Sequence, residues 1–204
     1  EELDIPVIKM NNRPVVVGFG PAGMFLALYL ARAKTNPIVI ERGKSVEERD
    51  KDILNFKTKG EFLCESNTCF GEGGAGTYSD GKLTTGIKDP RIRFCLNEFI
   101  KHGAPKNIYY EAHPHIGSDY LKSVVKNIRQ EIMSLGGEVL FEHKLVDLDI
   151  KNNKISSVIV EHNNKKIEIK TDDVILAIGH SARDTFKMLF ERNIFMQPKP
   201  FSMG

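Results

Sequence analysis

The stretch from residue 14 to residue 42, PVVVGFGPAGMFLALYLARAKTNPIVIER, constrains the fold more than any other part of the chain. It opens with an apolar β-branched run at Val15–Val17, which is typical of a strand buried on both faces. A helical pattern covers residues 21–33, and a second apolar strand at 38–40 ends in Glu41. The order strand, helix, strand predicts the opening of a parallel sheet.

The turn between the first strand and the helix has the pattern G-x-G-x-x-G, formed by Gly18, Gly20 and Gly23. These glycines allow a tight turn, a close approach of pyrophosphate to the backbone, and close packing of helix on sheet, in that order. Pro21 suits the first turn of the helix, whose positive end attracts phosphate. Glu41 stands where a carboxylate binds the hydroxyls of an adenosine ribose. The context favours a dinucleotide site over a glycine-rich turn without a ligand.

Composition indicates which classes of binding partner to expect. The 204 residues carry a net charge of +2, which gives no sign of a nucleic-acid or membrane partner. Three cysteines, Cys64, Cys69 and Cys95, fit a reducing compartment. We therefore expect a cytoplasmic protein that acts on a small molecule. Neither end of the chain reads as a natural terminus, so we also expect a fragment.

Residues 71–86 form the least regular part of the chain, with six glycines. So many glycines predict neither helix nor strand. A loop of this kind can lay backbone amides against a ligand, and Ser79, Asp80 and Lys82 would add polar contacts. The alternative is a mobile linker, which the interspersed Phe70 and Tyr78 make less favourable.

Capping patterns predict the helices that flank this loop. Ser45 and Glu48 form a capping box that begins a helix ending near Lys59. The side chains expected on its buried face are Ile53, Leu54 and Phe56. Asp89 and Pro90 begin the next helix, which stops at Gly103, and residues 108–110 form a short strand.

Two histidines, His113 and His115, flank Pro114. A metal site would need a third ligand, and none is evident, so we interpret the pair as turn residues and predict no metal.

The second half of the chain changes from helical to strand periodicity. Ser118 caps a helix that ends at Gly136, and a strand at 139–141 returns to the parallel sheet. Three strands, at 144–150, 155–161 and 165–170, form a β-meander with asparagine pairs at its turns. An apolar strand at 174–178 then leads to a last helix capped by Ser181.

The meander and the Ala-Ile-Gly turn at 177–179 distinguish this chain from a nicotinamide-binding domain, which usually continues with alternating strands and helices. With them the chain resembles the two-dinucleotide-fold flavoproteins. More narrowly, it resembles the bacterial FAD-dependent dehydrogenases known as NAD(FAD)-utilizing dehydrogenases. The stretches that carry the resemblance are GFGPAG at 18–23, FGEGGAGTYSDGKL at 70–83, PHIG at 114–117 and AIGHSARDT at 177–185.

The resemblance implies an α/β fold: a Rossmann-like FAD/NAD(P)-binding domain with a parallel sheet, helices and a three-stranded β-meander crossover, truncated before the C-terminal FAD segment. The implied segments are a lead-in at 1–13, the first part of the FAD-binding domain at 14–90, a partial substrate segment at 91–117, the remainder of the FAD-binding domain at 118–192, and the start of a substrate domain at 193–204.

The resemblance also implies a set of FAD-binding residues. The pyrophosphate would lie on Gly18, Gly20, Pro21, Ala22 and Gly23. The adenosine ribose would be held by Glu41 and flanked by Arg42, and the adenine would meet the backbone of Leu145. The flavin side of the cofactor would lie near Gly74, Ala75, Gly76, Ser79 and Lys82, and its middle near Ala177 and Gly179.

The activity implied is that of a flavin-dependent oxidoreductase that transfers hydride through FAD, with NADH or NADPH as partner. No catalytic residue is assigned. Lys82 and Arg183 are candidates for a cation near the flavin N1–C2 edge, and His180 is a candidate general acid that we leave uncommitted.

Three alternatives stay open. Cys64 and Cys69 have the C-x4-C spacing of flavin-linked disulfide reductases, although the glycines follow the pair here instead of preceding it. The same cradle could serve a non-catalytic dinucleotide-binding module, or a dehydrogenase that uses nicotinamide alone.

Overall fold

The computed structural model describes residues 4–79 and 81–200. In chain order its strands and α-helices are β1 (Val15–Val17), α1 (Pro21–Arg32), β2 (Ile38–Glu41), α2 (Val46–Lys59), α3 (Arg91–Lys101), α4 (Ser118–Ser134), β3 (Glu138–Phe141), β4 (Lys144–Lys151), β5 (Lys154–His162), β6 (Lys165–Lys170), β7 (Val174–Leu176) and α5 (Arg183–Glu191). Short 3₁₀ helices cover Gly74–Tyr78 and Lys106–Tyr109.

The parallel sheet has the strand order β3-β2-β1-β7. In the middle of the sheet, Val16 of β1 is paired with Val39 on one side and with Ile175 on the other. The first crossovers place β2 and β3 on one side of β1, and the chain then returns to its other side as β7. The strand order therefore reverses next to β1, and open parallel sheets place ligand sites beyond the carboxyl ends of the strands at such a point.

The strand residues divide between two hydrophobic cores, which explains why the strands are apolar throughout. Val16 and Val39 pack with the buried faces of α1 and α4. Val15, Ile38 and Ile40 point to the opposite face of the sheet and pack with the meander and α5. Both faces of the sheet are thus covered by described elements, which leaves its edges and strand ends for a ligand.

The fold class predicted from the sequence is confirmed, including the meander. Strands β4, β5 and β6 pair antiparallel in the predicted order. At the first turn Asn152 and Asn153 have φ of 51° and 59°, and Asn163 and Asn164 repeat these values at the second. Two successive positive φ angles form the tight turn that joins twisted hairpin strands, and asparagine tolerates them.

Two local predictions in the loops are wrong. Of the strand expected at 108–110, Ile108 and Tyr109 belong to the 3₁₀ helix Lys106–Tyr109, and Tyr110 follows the end of that helix; Ile108 turns inward and is fully buried. The glycine-rich loop, for which no helix was expected, contains the 3₁₀ helix Gly74–Tyr78. Positive φ angles at Gly73 and Gly74 bend the chain into that turn.

Helix α2 begins and ends as predicted, but its buried face is narrower. Ile53 is buried, whereas Leu54 and Phe56 are 59% and 48% exposed, so their predicted burial is wrong. The reason is that α2 buries only the stripe Val46, Arg49 and Ile53.

The capping predictions are also revised. The Ser45 side chain makes no capping hydrogen bond, and the first amide of α2 donates instead to the carboxylate of Glu72. The N-cap residues of α3, α4 and α5 are Pro90, Gly117 and Ala182, each next to the residue predicted. At α3 the Asp89 carboxylate accepts a hydrogen bond from the Arg91 amide at 2.8 Å, so the predicted capping contact of Asp89 is confirmed. Within residues 4–79 and 81–200, no helix combines the length and apolar character needed to cross a membrane.

Candidate functional site

A cavity of about 480 Å³ opens at the carboxyl ends of β1, β2 and β7, where the strand order reverses. Its size is within the range of small-molecule and cofactor sites. The predicted cofactor-binding residues that line it are Gly18, Gly20, Pro21, Ala22, Glu41, Arg42, Gly74, Ala75, Leu145, Ala177 and Gly179. Residues far apart in the sequence are thus brought to one place.

Gly18 and Gly23 are required by the fold itself. Gly18 has a φ of +98°, and a Cβ there would stand 2.4 Å from the carbonyl oxygen of Ala177. A Cβ on Gly23 would stand 1.9 Å from the carbonyl oxygen of Gly18. These two glycines let β1, α1 and the β7 turn approach closely, and Gly23 is not among the residues that line the cavity.

Gly20 differs from both. Its backbone is extended, with φ −76° and ψ −176°, a conformation that any residue adopts. A Cβ there would have its nearest neighbour, the Cα of Gly74, at 3.9 Å. Because Gly20 also lines the cavity, a side chain on it would take up space that belongs to an occupant.

The amino end of α1 faces this cavity with no side-chain cap and no acidic residue in its first turn. The first amides of a helix have no acceptor within the helix, here those of Ala22 and Gly23. The partial positive charge of the helix end adds to these donors. The arrangement suits a phosphate group.

The carboxylate of Glu41 holds together three backbone segments of the cavity wall. Its Oε2 accepts a hydrogen bond from the Phe19 amide at 2.8 Å, and its Oε1 accepts from the amides of Gly43 and Gly71 at 2.9 and 3.0 Å. The residue is 5% exposed. A carboxylate has about four acceptor positions. One therefore remains for a ligand hydroxyl, not the two that a grip on both ribose hydroxyls would use.

Arg42 belongs to a cluster of four charges beside the cavity. Its guanidinium donates to Glu65 at 2.6 and 3.0 Å and to Asp184 at 2.8 and 2.7 Å, and it lies over the ring of Phe70. Lys144, which also lines the cavity, pairs with both acids. Hydrogen bonds from Arg42 hold the pKa of Asp184 well below its usual range. The cluster ties β2 and β4 to the amino end of α5.

The sequence analysis did not single out Arg49, whose side chain stabilises the glycine-rich loop through hydrogen bonds. Its side chain is fully buried, and its Nη1 donates to the carbonyl oxygens of Glu72 and Gly74, both at 2.8 Å. Burial lowers its pKa. The sequence feature that could have revealed this role is an arginine on the buried face of α2, between Val46 and Ile53. The two hydrogen bonds from Nη1 direct the carbonyl groups of Glu72 and Gly74 toward Arg49, which is not among the residues that line the cavity.

Three predicted residues of the flavin side lie apart from this cavity. Gly76 and Ser79 are not among its lining residues, and the Ser79 hydroxyl donates to the Gly76 carbonyl at 2.8 Å. Lys82 lines a second cavity. Asp80, another residue of that motif, lies outside the described residues. The roles of these residues toward a flavin stay predictions.

The cysteines and histidines are placed as follows. Cys64 and Cys69 are free, exposed thiols, and only Cys69 lines the first cavity. His180 also lines it. Across residues 4–79 and 81–200, no group of three or more histidine, cysteine, aspartate or glutamate residues could hold a metal ion.

Comparison by sequence finds a protein that is similar to almost the whole chain. No family model matches the chain. A protein of Clostridium beijerinckii, described as uncharacterized, is 53% identical over 196 residues, which cover 96% of this chain. The match covers 36% of that protein, so the chain spans little more than a third of its length.

Comparison by structure identifies proteins with the same fold. THI4 from Thermovibrio ammonificans superposes with a TM-score of 0.59 and 16% identity, covering 90% of this chain and 64% of THI4. A flavocytochrome c3 fumarate reductase in its open conformation superposes with a TM-score of 0.51 and 15% identity, covering 89% of this chain and 36% of the reductase. At these identities the likeness establishes the Rossmann-like FAD/NAD(P)-binding fold.

Proposed function

We propose that the protein is a FAD-dependent oxidoreductase and that this chain supplies most of its FAD site. The observation that carries the proposal is the cavity at the strand reversal, over the uncapped amino end of α1. Gly20 lies there without a side chain, although the protein around it has room for one. The nearest atom to an added Cβ would be 3.9 Å away. An occupant of the cavity accounts for that glycine.

The residues present fit a dinucleotide. The amides of Ala22 and Gly23 would hold the diphosphate, and the free acceptor position of Glu41 would take a ribose hydroxyl. Leu145 would meet the adenine through its backbone, at the wall where β4 begins. Gly74 and Ala75 would lie toward the flavin. FAD, when bound, supplies hydride transfer at its flavin ring, and the chain supplies binding and orientation.

Two features favour flavin over nicotinamide as the resident cofactor. The first is the meander between β3 and β7, which replaces further strand–helix alternation. The second is that this fold also occurs in a fumarate reductase that is, by its name, a flavocytochrome. NADH or NADPH as the reductant, and a small-molecule substrate, enter the proposal from the sequence resemblance alone.

The experiment is to purify the full-length protein and identify what it carries. We expect an absorption band at about 450 nm, the usual property of oxidised flavin, and release of FAD identified by mass spectrometry. Anaerobic addition of NADH or NADPH should bleach the band. A bound nicotinamide dinucleotide in place of FAD would overturn the proposal. FAD that no reductant bleaches would leave a binding module and refute the enzyme.

A further inference from the structure

His143 lines the first cavity, and the proposed function gives it no role. Its backbone amide donates to the carbonyl oxygen of Glu41 at 3.0 Å, so it stands next to the acid proposed to take the ribose hydroxyl. It precedes Leu145, the residue proposed to meet the adenine, by two positions. All three residues line the same cavity. A ligand that reaches from Glu41 to Leu145 would therefore pass His143.

A hydrogen bond to the backbone holds the ring of His143 in one orientation. Its Nδ1 lies 2.6 Å from the carbonyl oxygen of Phe141. Because a carbonyl oxygen only accepts, Nδ1 donates this hydrogen bond whether the imidazole is neutral or charged. The side chain is also partly buried. A ring fixed in this way loses little conformational freedom when a ligand contacts it.

A second imidazole covers one face of this ring. The rings of His143 and His162 are stacked, with their centroids 4.2 Å apart and their planes 9° from parallel. His162 is held at both nitrogens, since its Nδ1 lies 3.0 Å from the Glu142 carbonyl oxygen and the Asn163 side-chain amide lies 2.9 Å from its Nε2. The pair joins the residue before β4 to the last residue of β5. This leaves the other face of His143, and the edge that carries Nε2, for a ligand in the cavity.

The charges near His143 favour an uncharged group over a phosphate. Arg42 and Lys144 line the same cavity, but each is paired with both Glu65 and Asp184. Two cations and two carboxylates in contact leave little net charge to attract an anion. The uncapped amino end of α1, by contrast, suits the diphosphate. A planar, uncharged base is the part of a dinucleotide that matches the surroundings of His143.

We propose that the adenine ring of the bound dinucleotide stacks on His143 and extends the stack of His162 and His143 by a third ring. That a dinucleotide occupies the cavity rests on the proposed function, whereas the stacked pair and its place beside Glu41 are features of the chain itself. The contact complements that of Leu145, because a ring face fixes the plane of the base and a backbone group binds its edge. FAD and NAD both carry adenine, so the contact does not depend on which of them is bound.

The test measures the affinity of the full-length protein, freed of any bound nucleotide, for ADP, which carries the adenosine and diphosphate groups of FAD. His143→Ala should weaken ADP binding about tenfold, a typical effect of removing one base–aromatic stack. His143→Phe keeps an aromatic face and loses both nitrogens, so it should bind ADP within about threefold of the wild type. The matched control is His113→Ala, which removes an exposed histidine outside the lining of this cavity and should leave the affinity unchanged.

Proton NMR spectra of bound ADP give a second readout, because an aromatic ring stacked on adenine shifts the signals of the base protons upfield. We expect this shift in the wild type and in His143→Phe, and its loss in His143→Ala. Absence of the shift in the wild type, unchanged affinity in His143→Ala, or equal weakening in the alanine and phenylalanine variants would overturn the inference.

The flavin content of the protein as purified keeps the two proposals separate. If ADP binding depends on His143 in a protein that carries no flavin, only the assignment of FAD is refuted. If the protein carries flavin and His143→Ala binds ADP as the wild type does, only the stacking contact is refuted. No saturable binding of ADP by the wild type would overturn both.

Discussion

The carboxylate of Glu41 accepts a hydrogen bond from the backbone amide of Phe19 at 2.8 Å, so the acid that ends β2 fixes the turn that follows β1. The same carboxylate holds Gly43 and Gly71, and thus joins three segments of the cavity wall. A residue expected only to bind a ligand also builds the site. Binding and stability should therefore respond together when it is changed.

The substitution Glu41→Gln should lower both the stability of the protein and its affinity for the cofactor. The amide group keeps one oxygen acceptor and turns an N–H donor toward at least one backbone amide, so a buried hydrogen bond is lost. We expect the free energy of unfolding to fall by about 1–3 kcal/mol, and the affinity for FAD to fall as well. Denaturant unfolding and flavin titration measure the two effects. Glu61→Gln, at an exposed position outside the cavity, is the control. Normal stability and affinity in Glu41→Gln would contradict this account.

Gly20→Ala and Gly18→Ala should separate cofactor binding from folding. At Gly20 the backbone is extended and the added Cβ meets no protein atom closer than 3.9 Å, so the apoprotein should keep its stability while flavin content falls. At Gly18 the Cβ would stand 2.4 Å from Ala177, and an L residue at positive φ costs about 1–2 kcal/mol more. That variant should unfold at a markedly lower temperature. Thermal unfolding of the apoproteins and flavin absorbance are the measurements.

Two results would contradict this separation of cofactor binding from folding. If Gly20→Ala destabilised the apoprotein as much as Gly18→Ala, the requirement for glycine would come from the fold and not from an occupant. Full flavin content in Gly20→Ala would mean that no diphosphate lies against that backbone.

The sheet and its first turn could be predicted from the sequence because their signals are local. The run Val15–Val17 and the glycines after it lie within one βαβ unit, and the asparagine pairs mark the hairpin turns directly. Helical periodicity likewise indicated α4, whose buried residues recur at three- and four-residue intervals.

Other parts of the site depend on partners distant in the sequence. The amide of Val46 is bound by Glu72, and Arg49 supports the loop around Gly74, 25 residues away. No pattern within α2 shows which loop will lie against it. The exposure of Leu54 and Phe56 has the same cause, because burial depends on what packs on the helix and not on the helix alone.

Cys64→Ser and Cys69→Ser test the disulfide-reductase alternative. Both thiols are free and exposed, and only Cys69 lines the cavity. If FAD accepts and donates electrons without a thiol, both variants should keep their flavin and its bleaching rate. Anaerobic stopped-flow reduction measures that rate. Cys95→Ser, away from the cavity, is the control. Loss of electron transfer with flavin retained in both Cys64→Ser and Cys69→Ser would instead support a redox-active pair.

Glu72 should make the protein less stable as pH rises toward neutrality. Its side chain is fully buried and its Oε1 has no hydrogen-bond partner. Burial raises its pKa from 4.5 to about 7, although the Val46 amide and Arg129 favour the charged form. The folded protein therefore holds this proton more tightly than the unfolded chain. Its stabilisation is complete below about pH 4.5 and is lost as pH rises to about 7.

Glu72→Gln should remove this dependence, since glutamine mimics the protonated acid at every pH. The variant should match the wild type near pH 4.5 and exceed its free energy of unfolding above pH 7, by up to about 3 kcal/mol for a shift of this size. Denaturant unfolding at several pH values measures the difference. Glu47→Gln is the matched control. The ion-pair partners Lys126 and Arg129 help to lower the pKa of Glu47 to about 2 despite its partial burial. The difference in the free energy of unfolding between Glu47→Gln and the wild type should therefore change only below about pH 4.5. A Glu72→Gln difference that stays constant from pH 4.5 to 8 would show that Arg129 keeps the buried carboxylate charged throughout.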